Sequence, residues 1–142
     1  MSINTELLNY IHQNAQMGKS TISRLAEMTD DIDFRKTLEN QIVEYQDIYN
    51  QAEEKLKKEN KEPKGLDPSR KIESYMMLKL STLADKSTSH LAEMMIQGSN
   101  MGIIDITKNL KKYNEADKDI LELGTRLLRT EQNNINEMKK FL

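Results

Sequence analysis

Two histidines, His12 and His90, are the strongest metal ligands available to this chain, because it contains no cysteine. His90-Leu91-Ala92-Glu93 puts an imidazole and a carboxylate one helical turn apart. His90 and Glu93 are therefore the candidate metal pair. His12 has Asn9 and Gln16 at the equivalent turn positions, and amides are poor ligands for iron. A carboxylate-bridged di-metal centre in a helical bundle takes a Glu from each of two helices and a Glu-x-x-His from each of the other two. Neither histidine satisfies that motif, since Asn9 and Ser87 occupy the positions three residues before them. No resident cofactor is expected. The plainer reading leaves each histidine half-buried with a hydrogen bond, or exposed.

Other chemistries are as thinly supplied. Met17-Gly18-Lys19-Ser20 lacks the preceding glycines and strand that make a Lys-Ser pair a phosphate loop. Serines have no base and orienting acid at a recognisable spacing. Asp30-Asp31 and Glu53-Glu54 read as helix-start electrostatics and a solvated face. Nine methionines, with Met76-Met77 and Met94-Met95 among them, fall on apolar stripes, so core or interface packing is favoured over copper binding. The chain is not expected to be an enzyme.

The most informative pattern is an echo at a spacing of 84. Gln13-Asn14-Ala15-Gln16-Met17-Gly18 matches Gln97-Gly98-Ser99-Asn100-Met101-Gly102, Ile22 falls on Ile106, and Thr29-Asp30-Asp31 falls on Tyr113-Asn114-Glu115. A glycine inside a helix costs about 1 kcal/mol relative to alanine, so Gly18 and Gly102 call for a compensating close approach. They would mark the closest crossing between two helical hairpins. Gln13, Gln16, Met17, Gln97, Asn100 and Met101 sit within a turn of that crossing, which makes them the candidate ligand-binding residues together with the two glycines. Structural packing and chance similarity between amphipathic helices are the competing readings.

The elements that would position these residues are helices. Ile3, Leu7, Ile11, Ala15, Gly18, Ile22 and Leu25 step by three or four over a helix from 3 to 28. Asp30 or Asp31 can cap a second, which carries Phe34, Leu38, Ile42, Tyr45, Tyr49, Ala52 and Leu56. Together they form a hairpin over residues 3–58. Charge, Pro63, Gly65 and Pro68 then mark a linker over residues 59–68. A second hairpin, with an additional helical segment possible, follows over 69–142. Its stripe runs through Ile72, Met76, Leu80 and Leu83 into Leu91, Gly98, Gly102, Ile106 and Leu110. A continuous helix from 69 to 112 would be about 66 Å long at 1.5 Å per residue, against about 40 Å for the others, so it either projects or bends near Asp85–Ser89. Asn114 is placed to cap the last helix.

The chain thus reads as one all-α domain over residues 1–142, a four-helix bundle with a long connection between two hairpins. An up-down-up-down bundle with an extended third helix is the alternative. This layout and the Gln97–Gly102 stretch resemble small ferritin-like helical-bundle proteins of endospore-forming bacteria, similar to spore-coat helical proteins. The resemblance implies the ferritin-like arrangement over nearly the whole chain. The iron chemistry of such proteins does not carry over, because the Glu-x-x-His pairs are missing.

A net charge of -2, from 21 basic and 23 acidic residues spread along the chain, gives no basic face for nucleic acid. No apolar run reaches membrane-spanning length, and the N-terminus lacks the layout of a signal peptide. A cytoplasmic location is expected. The stripe Ile72, Met76, Leu80, Leu83 is the expected interface, because four matched helices would leave part of it uncovered. The functional expectation is a structural or protein-interacting bundle that self-associates, with a dimer favoured and a further protein partner open. A reduced ferritin-like bundle holding a metal or small molecule in its centre is the alternative.

Overall fold

Polar side chains at three helix starts explain where the helices begin. The computed structural model describes residues 2–64, 79–80 and 83–142. Helix α1, Ile3–Met28, starts where the Ser2 hydroxyl accepts from the Thr5 amide at 3.1 Å. Helix α2, Ile32–Lys58, is capped by Asp31, whose Oδ1 accepts from the Phe34 amide at 2.9 Å. Helix α3, Thr88–Lys112, is capped by the Ser87 hydroxyl on the His90 amide. Each cap satisfies one of the amides that a helix start leaves without an internal partner. Helix α4, Lys118–Met138, has no side-chain cap and closes with a 3₁₀ turn over Lys139–Phe141. No strand occurs among the described residues.

Contacts along the helices give their directions. Asn4 reaches Glu59 at one end of α1 and α2, and Lys19 bonds Gln46 midway, so these helices are antiparallel. Tyr10 donates to Asp105 at 2.7 Å, while Met17, Gly18 and Thr21 meet the Met95–Gly102 stretch, so α3 also runs against α1. Lys55–Asp119 and Gln41–Glu137 set α4 against α2. Asn4 Oδ1 accepts from the Asp117 amide, and a Cβ on Gly124 would touch Ile11, which makes α1 and α4 parallel. The order is up, down, down, up.

Helix α2 ends beside Asn4, whereas Thr88 at the start of α3 donates to Asp31 Oδ2 at 3.3 Å, at the opposite end of the bundle. Residues 59–87 therefore join opposite ends. The extended third helix is not formed: residues 83–87 are not helical, and α3 begins only after Ser87. The small polar residues there favour a cap over a helix interior. The last helix also begins later than its sequence predicts. Asn114 lies in a turn closed by the Ala116 amide on the Tyr113 carbonyl, and α4 starts four residues further on.

Apolar faces of all four helices meet in one core that includes Leu7, Ile11, Leu25, Phe34, Leu38, Leu56, Leu91, Ile106 and Leu127. Leu80, expected at an interface with another chain, is 2% exposed and belongs to this core, with Leu83 half-buried against it. Ile72 and Met76 lie outside the described residues. None of the described helices is long and apolar enough to cross a membrane.

Candidate functional site

Two glycines admit two large side chains to the middle of the bundle. A Cβ on Gly18 would lie 2.7 Å from Cε1 of the Tyr45 ring, so the ring rests against the backbone of α1. A Cβ on Gly102 would lie 3.3 Å from Cδ and Oε1 of Glu131. Each glycine thus serves its own hairpin: α1 admits a side chain of α2, and α3 admits one of α4. The expected crossing between the hairpins is thus joined by a tight contact inside each one. Both nevertheless border one cavity between the hairpins, of about 40 Å³. Met17, Gly18, Thr21 and Ile22 of α1, Tyr45 of α2, Met95, Gly98, Ser99 and Gly102 of α3, and Glu131 of α4 form its wall.

The echo of the sequence is built into this geometry. Helices α1 and α3 end at 28 and 112, an offset of 84, while α2 and α4 start at 32 and 118, an offset of 86. The second offset places Tyr45 on Glu131. The same positions of the two hairpins therefore face each other, one carrying a phenol and the other a carboxyl.

Glu131 is 6% exposed and Tyr45 is 1% exposed. Asn134 Nδ2 donates to the Tyr45 hydroxyl at 3.1 Å. The phenol and the Ser99 hydroxyl both lie close enough to the Glu131 carboxyl to pull its pKa down. Burial pushes the Glu131 carboxyl up to about 7, against the opposing pull of Tyr45 and Ser99. Tyr45 is raised well above the phenol range, first by burial and then by the adjacent Glu131 charge. The Ser99 oxygen is buried and closes no regular hydrogen bond of its own. An ionisable carboxyl, three hydroxyls and two thioethers thus surround a space of molecular dimensions.

Of the residues singled out in the sequence, Met17, Gly18 and Gly102 line the cavity. Gln13, Gln16 and Met101 are half-buried outside its wall, and Gln97 and Asn100 are exposed. The polar groups that do face it, Ser99, Tyr45, Glu131 and Thr21, were not singled out. Ser99 is one residue from Asn100, and a shift of one residue turns a helical position by 100°.

The histidines stand apart. His12 is 2% exposed, neither ring nitrogen has a hydrogen-bond partner, and the ring stacks on Tyr49 at 4.0 Å. It is neither exposed nor hydrogen-bonded, contrary to expectation. Burial lowers its pKa, with Glu53 acting in the opposite sense. His90 is half-buried, with Nδ1 3.6 Å from Glu93 Oε2. Among the described residues no group of three or more His, Cys, Asp or Glu is arranged to hold a metal ion.

No protein-family model, curated protein or solved structure matches the chain. The site itself must carry the functional argument.

Proposed function

We propose that this chain is a non-enzymatic binding protein, a ferritin-like bundle that holds a metal ion or small molecule in its centre. The up-down-down-up order and the connection between opposite ends support the ferritin-like arrangement. The observation that carries the binding reading is Glu131, a buried carboxyl beside a cavity. Removing an ionisable group from water is costly unless something compensates for it, and a guest in the cavity would do so. A cytoplasmic setting belongs to the same proposal.

Self-association is the weaker of the two functional expectations, because Leu80 packs into the core of its own chain. Native mass spectrometry of protein purified without chelators tests the choice directly. The binding reading expects a stoichiometric guest on the folded chain, reduced in Glu131→Gln. A guest-free oligomer would instead restore the self-associating structural bundle.

A further inference from the structure

Glu131 faces the cavity with no cationic partner: the ion pairs of the described residues do not include it. The groups packed around it are equally informative. Met17, Gly18 and Thr21 of α1 and Met95, Gly98, Ser99 and Gly102 of α3 carry no ionisable group, and α2 offers only the Tyr45 phenol. Among the described residues of its wall the one source of charge is therefore Glu131, and it is negative.

We propose that the cavity is a site for a small monovalent cation of the ammonium class, ammonium itself or a methylammonium-sized amine, bound as the counter-charge of Glu131. This rests on the central-site reading above and gives its guest a chemical class. Size is the first argument. A cavity of about 40 Å³ is a few times the roughly 10–15 Å³ that holds one water on the same measure, so it takes a guest somewhat larger than a single water. Ammonium and a methylammonium-sized amine fit that space, whereas organic ligands of ordinary dimensions occupy pockets of about 300 Å³ or more.

Hydrogen-bond chemistry is the second argument. An ammonium ion has donors in every direction and no acceptor. The wall supplies the complement: the Glu131 carboxylate, the buried Ser99 oxygen beside it, and the Tyr45 ring. The Met17 and Met95 thioethers are weak acceptors at the apolar side. A divalent ion such as calcium needs about six to eight oxygen ligands, and a single carboxylate cannot provide that shell. A water molecule fits the space but leaves the charge of an ionised Glu131 unopposed. Binding of the cation also displaces the proton from Glu131, so occupancy rises as the pH rises through about 7.

The test is thermal unfolding of the full chain at about pH 8 in ammonium chloride, compared with sodium chloride at equal ionic strength. Ammonium is expected to raise the midpoint by about 5 °C once it is in roughly tenfold excess over its dissociation constant. The increment disappears in Glu131→Gln, shrinks in Ser99→Ala, and is lost at about pH 5.5, where the carboxyl is protonated. With nitrogen-15 ammonium, proton NMR of the parent should show a bound ion with cross-relaxation to the Tyr45 ring, which a general salt effect does not produce. Equal midpoints and no bound resonance overturn the proposal, as does an ammonium increment that survives in Glu131→Gln. If ammonium fails while native mass spectrometry retains another stoichiometric guest, only the cation class falls. If the spectrum is also empty, the central-site reading falls with it.

Discussion

Glu131 makes stability depend on pH in a direction unusual for a carboxyl. Its pKa is raised from 4.5 to about 7 by folding, so the folded chain binds the extra proton between those values. The contribution is complete below 4.5 and is lost as the pH rises through about 7. A shift of that size corresponds to about 3 kcal/mol at 1.36 kcal/mol per unit. In sodium buffers free of ammonium, Glu131→Gln should therefore be about 2–3 kcal/mol more stable than the parent at pH 8, with the difference shrinking toward pH 5. Urea unfolding at the two pH values measures this; a constant difference would remove Glu131 as the cause. His12 acts in the opposite sense, because burial lowers its pKa: its contribution is full above 6.5 and is lost as the pH falls. Sequence periodicity held a trace of Glu131 that apolar counting discards. Leu123, Leu127, Asn134 and Met138 are buried at three-to-four spacing, and the step between 127 and 134 is completed only by 130 and 131. Only the opposite wall, which Tyr45 and Ser99 supply, turns that gap into a site.

Among the helices, glycine substitutions separate rigid neighbours from compliant ones. Gly18→Ala drives a methyl group against the rigid Tyr45 ring, whose hydroxyl is held by Asn134. It should destabilise by about 1–3 kcal/mol despite the better helix propensity of alanine. Gly124→Ala meets Leu110 Cδ2 at 2.6 Å, but that atom ends a flexible, half-buried side chain. Gly124→Ala should be neutral within about 0.5 kcal/mol or stabilising. Urea midpoints of the two variants decide, and equal losses would show that the Tyr45 contact is no tighter than the Leu110 one. Helix boundaries were legible where local chemistry sets them: α1 and α2 follow the apolar stripe and the Asp31 cap. The start of α4 was not, because a distant residue competes for it. Asn4 Oδ1 takes the Asp117 amide and Ala116 is buried in the turn, which holds residues 113–117 out of the helix.

Taken whole, the molecule is tied at both ends by single polar residues serving two elements. Asn4 holds Glu59 with its amide and the Asp117 backbone with its oxygen, while Asp31 caps α2 and accepts from Thr88. Asn4→Ala should cost about 1–2 kcal/mol, with both hairpins still unfolding in one transition because their apolar faces share a core. Coincident near-UV and far-UV circular dichroism melts check this; separated transitions would show that the hairpins are independent. The linker over residues 59–68 was legible in the sequence from the charge and prolines after α2, whereas the break before α3 was one of two readings that its small polar residues left open. Which ends the connection joins was not, since the Thr88–Asp31 contact spans 57 residues.

The offset that sets Tyr45 against Glu131 has a consequence for how such a bundle can be assembled. Two identical hairpins meeting about a twofold axis must present the same side chain to each other twice. Two carboxyls would repel in a dry interior, and two phenols would have to share the room that Gly18 and Gly102 give to one ring and one shorter acid. A single polypeptide with unlike halves escapes that constraint, putting a donor on one side and an acceptor on the other. Covalent linkage thereby permits a lone charge at a position where a symmetric pair of subunits would have to carry two or none.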